Sequence, residues 1–266
     1  MNLAANQIRT FLRAQSGVNL GADKDYLIES RLHGVLKQHA LPDLDELAQE
    51  VQRRPDSPLA AALIEALTTH ETSWFRDQRP FERLRTEVLP RLRDRNQRSI
   101  RLWSAACSTG QEAYSLAILL REAGFCEPAW QVSLLASDLC AHTLAHAARG
   151  VYSHFEIERG LPEHYRERYF QAVGKHWEVV PLLRDTMRFD VINLIRLPPS
   201  LEPFDVIFCR NVLIYFDSTT QQQVLHALHD RLRPGGALFL GAAESPLGLC
   251  DKLQPSGLSS GLYLRV

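Results

Sequence analysis

The chain has 266 residues, 45% hydrophobic and 23% charged, an ordinary balance for a globular protein with room for one large or two smaller domains. Thirty Lys plus Arg against 31 Asp plus Glu leave a formal net charge of -1, which excludes the global positive field that draws a protein onto nucleic acid. Five scattered cysteines (Cys107, Cys126, Cys140, Cys209, Cys250) form neither a zinc spacing nor a disulfide framework. The opening Met1-Asn2-Leu3-Ala4-Ala5-Asn6 lacks the basic start of a secretion signal, and no apolar run approaches the ~20 residues of a membrane span. The expectation is a cytoplasmic monomer without a metal and without membrane insertion.

From residue 1 to 67 apolar residues recur at helical spacing: Ile8, Phe11, Leu12; Tyr26, Leu27, Leu32, Val35, Leu36; Leu44, Leu47, Val51; Leu59, Leu63, Leu67. Gly17 to Gly21, Leu41-Pro42 and Arg54-Pro55 interrupt the pattern, so it predicts a small domain of about four short helices. Residues 68–88 read as an interdomain segment contributing to the active site. From 89 to 266 short apolar runs alternate with amphipathic stretches. Ile100 to Ala106, Gln131 to Ser137, Met187 to Ile192, Phe204 to Cys209 and Ala237 to Ala242 predict buried strands. Glu112 to Glu122, Thr143 to Arg149 and Thr219 to Leu232 predict the helices between them. The fold class is α/β: a Rossmann-like, mostly parallel sheet covered by helices. The final run, Gly261 to Val266, follows the previous strand without a crossover helix and is expected to pair antiparallel at or near an edge. A stretch near 165–186 breaks the alternation, and Trp177-Glu178-Val179-Val180 predicts a small β hairpin insertion.

In an open α/β sheet ligands lie at the carboxyl ends of the strands, beside the point where strand order reverses. After the first strand comes Ser104-Ala105-Ala106-Cys107-Ser108-Thr109-Gly110-Gln111-Glu112-Ala113-Tyr114-Ser115, a run of small residues entering a helix. Small residues let backbone approach a ligand, and Gly110 suits a tight turn. Glu112 near the helix opening repels a pyrophosphate and attracts an ammonium, which favours S-adenosylmethionine over NAD; the same carboxylate also complements the helix dipole. Asp138 ends the second strand, where an acid holds a ribose through its hydroxyls or caps the next helix. Asn193-Leu194 ends the third strand, at an adenine position or simply in a turn. The fourth runs into Arg210-Asn211-Val212-Leu213-Ile214-Tyr215, polar side chains that packing alone does not explain.

At these residues the chain resembles the CheR chemotaxis receptor methyltransferases. The resemblance covers nearly the whole chain, through Thr68-Thr69-His70-Glu71-Thr72-Ser73-Trp74-Phe75-Arg76, the Ser104 to Ser115 loop, Ala136-Ser137-Asp138, Asn193-Leu194 and Phe204 to Asp217, with Pro234-Gly235-Gly236 and Ala243-Glu244-Ser245 completing it. It implies that His70, Thr72, Arg76, Ala106, Glu112, Asp138, Asn193, Leu194, Arg210 and Asn211 surround S-adenosylmethionine. Within that set Glu112 would take the methionine ammonium, Asp138 the ribose, and Asn193 and Leu194 the adenine surroundings. Arg76 and Tyr215 would be the catalytic pair. Two positions depart from the family pattern: His70 stands where many relatives have Asn, and Gln111-Glu112-Ala113 replaces the commoner Glu-Glu-Pro.

The function so implied is methylation of glutamate carboxylates on cytoplasmic chemoreceptor helices, giving methyl esters and S-adenosylhomocysteine. A glutamate is already ionised at neutral pH, so no general base is needed. Alignment of the reactants supplies up to ~7–11 kcal/mol in favourable cases. Arg76 is assigned to orient the acceptor carboxylate and the Tyr215 hydroxyl to place it against the methyl group. The second helix, about Asp23 to His39, is expected to dock the receptor through Arg31 and Lys37, although an ordinary solvated face reads the same way. Some relatives grip a receptor tag with a glycine-rich loop; here that loop is shortened to Phe170-Gln171-Ala172-Val173-Gly174-Lys175, so tag-independent binding is expected. Two rivals remain in view, a non-catalytic cofactor-binding signalling regulator and a nucleic-acid base methyltransferase. The second rests on Leu197-Pro198-Pro199-Ser200, which follows the wrong strand and lacks a stacking aromatic.

Overall fold

The computed structural model describes residues 3–95, 98–257 and 261–266; Met1 and Asn2, the first residues of the N-terminal stretch read above, lie outside them. Two compact units are present: the described residues up to His70 together with Ile214–Gln221, and Glu71–Leu213 together with Gln222–Val266.

The smaller unit contains α1 (Leu3–Ser16), a 3-10 turn (Ala22–Lys24), α2 (Asp25–Gln38), α3 (Leu44–Arg53) and α4 (Pro58–Leu67). Ile8 and Leu12, Ile28 and Leu32, Leu47 and Val51, and Leu63 and Leu67 are buried at helical spacing, so each helix hides one stripe in a common core. Asp43 caps α3 by accepting from the Glu46 amide (2.9 Å), and Ser57 caps α4 by accepting from the Ala60 amide (3.2 Å) ahead of Pro58. Residues 214–221, expected in the catalytic domain, belong here. Val18 bridges Phe216, the Asn19 amide donates to the Tyr215 carbonyl (2.8 Å), and Arg13 pairs with Asp217 (2.5 Å). Such pairing between distant stretches leaves no trace in local periodicity.

The larger unit begins with a helical run absent from the sequence reading: α5 (Arg79–Arg83), a π-helical turn (Leu84–Val88) and α6 (Leu89–Arg93). There follow β1 (Ser99–Ala105), α7 (Gln111–Glu122), β2 (Gln131–Asp138), α8 (Ala141–Arg149), β3 (Val151–Ser153), α9 (His154–Glu158), α10 (Glu163–Tyr169), β4 (Phe170–Val173), β5 (His176–Val179) and α11 (Pro181–Arg184). The chain continues through β6 (Met187–Val191), β7 (Phe204–Cys209), α12 (Ser218–Asp230), β8 (Leu232–Leu240), β9 (Leu253–Pro255) and β10 (Leu262–Arg265).

Seven strands form the main sheet in the order β6-β2-β1-β7-β8-β10-β9. All pair in parallel as far as β8; β10 is antiparallel to both β8 and β9. The last strand is therefore antiparallel as expected, but the short β9 forms the edge beside it. Register aligns Ala105 of β1 with Ser137 of β2 and Cys209 of β7, so three strand tips end level on either side of the reversal of strand order. At the opposite end, Asp205 is 2% exposed and accepts from the Arg101 amide (2.9 Å), Arg95 (3.0 Å) and Arg233 (2.9 Å), which offsets the cost of burying its charge. The insertion is a three-stranded sheet, β3-β5-β4, in which β4 and β5 form the expected hairpin and β3 pairs from before it. Gly174 turns that hairpin at φ 60°.

Gly34 lies inside α2, and a methyl group added there would meet nothing within 4 Å. Mid-helix glycine is less favourable than alanine by about 0.5–1 kcal/mol. Gly34→Ala is expected to raise unfolding stability by that amount in a urea titration; a loss of stability would show that the glycine serves a contact in the folded chain.

Candidate functional site

The loop between β1 and α7 is built on unusual backbone. Ala106 (φ 59°), Ser108 (φ 53°) and Gly110 (φ 97°) alternate through left-handed conformations, which cost roughly 1 kcal/mol or more for the first two. Buried partners hold them. The Cys107 amide donates to the Ser137 carbonyl (2.8 Å), the Ser108 amide to Asp138 Oδ2 (2.9 Å), and the Tyr152 hydroxyl to the Thr109 carbonyl (2.8 Å). Gly110 is required twice over: by its φ, and because a Cβ would fall 2.8 Å from the Ala147 Cβ. The other oxygen of Asp138 accepts from the Cys140 amide (3.0 Å); Cys140, not Asp138, is the residue that opens α8, so the capping role considered from the sequence is not the one Asp138 takes. Each carboxylate oxygen keeps a second lone pair for a hydroxyl.

Glu112 lies in the first turn of α7, nearly buried, and accepts from Ser104 Oγ (2.8 Å) and Arg210 Nη1 (3.1 Å). Burial pushes its carboxyl above the usual glutamate range, an effect that Arg210 and the Ser104 hydrogen bond oppose. Arg210, with a side chain 1% exposed, leaves the tip of β7 and also donates to Asp77 Oδ2 (2.6 Å) and to the Arg76 carbonyl (2.9 Å). Its guanidinium lies over the Phe81 ring, 5.6 Å from the centroid. Asp77, which the sequence reading missed, sits in a strained turn with Phe75 (φ 47°), Asp77 (φ 67°) and Gln78 (φ 46°) all left-handed. The Phe75 amide donates to Ser115 Oγ (3.1 Å) and the buried Trp74 amide to the Arg159 carbonyl (3.1 Å). An acid one residue beyond a recognised motif was the available signal.

Glu112, Asp138, Arg210 and Asn211 thus meet at the tips of β1, β2 and β7, with Ala106 in the loop between them and Thr72 and Arg76 on the segment that Arg210 anchors. The Ile192 amide donates to the Asp138 carbonyl (3.0 Å), which sets Asn193 and the buried Leu194 beside the β2 tip. Asn193 Oδ1 also accepts from the Ile195 amide (3.2 Å), as a turn residue does. The Arg76 guanidinium donates to the Glu71 carbonyl (3.0 Å). His70 and Tyr215 belong to the smaller unit. There the His70 Nε2 lies 3.0 Å from Thr68 Oγ1, and Tyr215 follows Leu213 in a 3-10 turn. Arg31 donates to the Leu67 and Thr68 carbonyls (3.4 and 3.2 Å), closing the end of α4, while Lys37 is exposed.

The donor set fits S-adenosylmethionine. Two carboxylates, Glu112 and Asp77, share one guanidinium, leaving one negative charge for a ligand ammonium, and Asp138 offers acceptors for ribose hydroxyls. No cationic phosphate cradle is built into the loop, and the buried Cys107 thiol is pushed well up by burial and by Asp138, so it stays protonated rather than nucleophilic.

Parallel strands reversing beside an acid-tipped β2, closed by one antiparallel strand, are the build of a class I S-adenosylmethionine methyltransferase. Residues 4–68 match the CheR methyltransferase all-alpha domain and residues 70–261 the CheR methyltransferase SAM binding domain. The chain belongs to the CheR methyltransferase family. It is 39% identical to "Chemotaxis protein methyltransferase Cher2" of Pseudomonas putida, over 98% of this chain and 97% of that one. Identity is 40% with "Chemotaxis protein methyltransferase 1" of Pseudomonas aeruginosa (97% and 95% covered) and 37% with "Chemotaxis protein methyltransferase 1" of Vibrio cholerae (96% and 94%).

Removing the Arg210 guanidinium leaves the nearly buried Glu112 carboxylate without its charge partner. Arg210→Ala is expected to cost about 3–5 kcal/mol of unfolding free energy, the usual penalty for breaking a buried pair. Arg210→Lys should recover only part of it, since an ammonium lacks the planar fork that reaches all three acceptors. A cost below about 1 kcal/mol for the alanine variant in urea unfolding would refute the assignment of Arg210 as the hub.

Proposed function

We propose that this chain transfers the methyl group of S-adenosylmethionine to glutamate side-chain carboxylates on cytoplasmic helices of chemoreceptors, forming methyl esters. The observation that carries the reading is the Glu112–Arg210–Asp77 cluster, in which two carboxylates share one buried guanidinium at the tip of β7, two strands from the β2 tip that carries Asp138. Relatives named for chemotaxis protein methylation at close to 40% identity over nearly the full length support the receptor as substrate.

When bound, the cofactor supplies an electrophilic methyl group on a sulfonium. Glu112 receives the ammonium, Asp138 the ribose hydroxyls, and Asn193 and Leu194 border the adenine, with His70, Thr72, Ala106 and Asn211 completing the surroundings. Arg76 spends one of its five N–H groups on the Glu71 carbonyl and turns others to the acceptor carboxylate. Tyr215 places that carboxylate in line. Because the acceptor is ionised before it arrives, the site needs no base, consistent with a loop cysteine held neutral. The exposed face of α2, with Tyr26, His33 and Lys37 beside Arg31, is assigned to receptor docking. The β4–β5 hairpin, closed tightly at Gly174-Lys175, supports recognition without a receptor tag.

Incubation with methyl-labelled cofactor and receptor cytoplasmic fragments should give label released by mild base as methanol. Arg76→Ala and Tyr215→Phe should each lower turnover about 100-fold at saturating cofactor. Reversing charge at Arg31 and Lys37 together should weaken methylation and spare S-adenosylhomocysteine affinity. Base-stable label, or full turnover by both catalytic-pair variants, would overturn the proposal.

The raised pKa of Glu112 gives a second test. Its carboxylate must be ionised to hold an ammonium, so affinity is full above the raised pKa and falls as pH drops through it, by up to ~10-fold per unit. Calorimetric titration of S-adenosylhomocysteine should therefore weaken in the wild-type chain as pH falls, beginning at a pH where an exposed glutamate would still be charged. In Glu112→Gln affinity should be uniformly low and insensitive to pH; equal pH profiles in the two proteins would remove Glu112 from the ammonium site.

A further inference from the structure

Glu244 lies just beyond β8, in a turn where its own amide donates to the Gly241 carbonyl (3.0 Å). The residue is 5% exposed and its carboxylate accepts four backbone amides. Oε2 takes those of Gly241 (2.6 Å) and Asn211 (2.9 Å), and Oε1 those of Val212 (2.8 Å) and Leu213 (2.7 Å). An ionised carboxylate has about four lone-pair sites, so each oxygen is well supplied with donors. Asn211 is left-handed at φ 59°, and this is the point at which the chain leaves β7 and turns toward the Leu213–Tyr215 turn. Gly241 makes the arrangement possible: a Cβ there would stand 2.7 Å from Glu244 Oε2 and 2.9 Å from the Asn211 amide nitrogen.

We infer that Glu244 is a positioning residue for methyl transfer: by gathering four amides from the ends of β7 and β8 it sets the backbone from which Asn211 and Tyr215 depart. The inference rests on the methyl-transfer reading above. Glu244 holds the loop directly and touches Glu112 only through its charge, so its loss should disturb the geometry of transfer more than the holding of the nucleoside, whose ribose and ammonium contacts are assigned to Asp138 and Glu112. A misplacement on the order of 1 Å near reacting groups lowers rate ~100-fold.

Glu244→Gln keeps size and shape but turns an NH2 group toward two amide donors. The expected result is a kcat on receptor fragments about 100-fold lower, with S-adenosylhomocysteine Kd within about 3-fold of wild type. Glu244→Asp, which keeps the carboxylate on a shorter stem, should regain roughly 10-fold of that kcat. Asp205→Asn, a buried carboxylate that gathers an amide and two arginines at the far end of the sheet, is the control for stability: it should lower Tm while leaving kcat within about 2-fold. A Glu244→Gln enzyme with kcat within 2-fold of wild type (about the error of such assays), or with kcat and Kd lost in equal proportion, overturns the inference. Should that variant fail to fold, Glu244→Asp decides by the same split between kcat and Kd. If the wild-type chain itself labels no receptor, the functional reading fails and this one with it; normal labelling with an indifferent Glu244→Gln defeats this one alone.

Discussion

A guanidinium as deeply buried as that of Arg210 has to be neutralised where it lies, because an unpaired charge in the interior costs several kcal/mol. Glu112 from the first turn of α7 and Asp77 from the turn before α5 do this together, and the Arg76 carbonyl takes a further N–H. One side chain at the tip of β7 therefore ties the cofactor loop's helix to the segment that carries Thr72 and Arg76. The cluster is left one negative charge in excess, a demand that a cationic ligand meets. In the proposed function the same charges hold the fold and receive the ligand's ammonium.

Backbone strain gathers at the same tips. Apart from Ala40 near the end of α2, the left-handed residues other than glycine, among those described, are Phe75, Asp77, Gln78, Ala106, Ser108 and Asn211. In three of the loops a strained residue has its amide held by a buried side-chain acceptor: Phe75 by Ser115, Ser108 by Asp138 and Asn211 by Glu244. Strain of this kind persists only where surrounding contacts over-determine it. The three acceptors supply that constraint, and all three belong to motifs that the sequence already singled out.

Much of this was readable in one dimension. Alternation of apolar runs with helical stretches located β1, β2, β6, β7 and β8 to within a few residues, because buried parallel strands need continuous apolar sequence. Polar groups at the ends of those runs marked Glu112, Asp138, Arg210 and Asn211, since the interior of a sheet has no use for them. Less visible were α5, α6 and β9. The helical pieces carry buried apolar residues at helical spacing (Phe81, Leu84, Val88, Leu92), but Pro80 and Pro90 read as breaks along the chain, and three-residue β9 is too short to show alternation. Asp77 and Glu244 escaped notice as site residues because an acid in a loop is ordinary until its partners are known.

Local chemistry along the chain was sufficient to determine the two kinds of architecture, the strand-tip location of the site and the residue types that suit a sulfonium nucleoside, since periodicity and buried polarity are properties of short segments. Tertiary structure alone decided that Arg210 is shared between Glu112 and Asp77, that Glu244 collects the amides of another strand's exit loop, and that residues 214–221 join the helical unit. Each of these joins positions from about 30 to nearly 200 residues apart, and which distant donor meets which acceptor is fixed by packing in three dimensions, which local propensity does not encode.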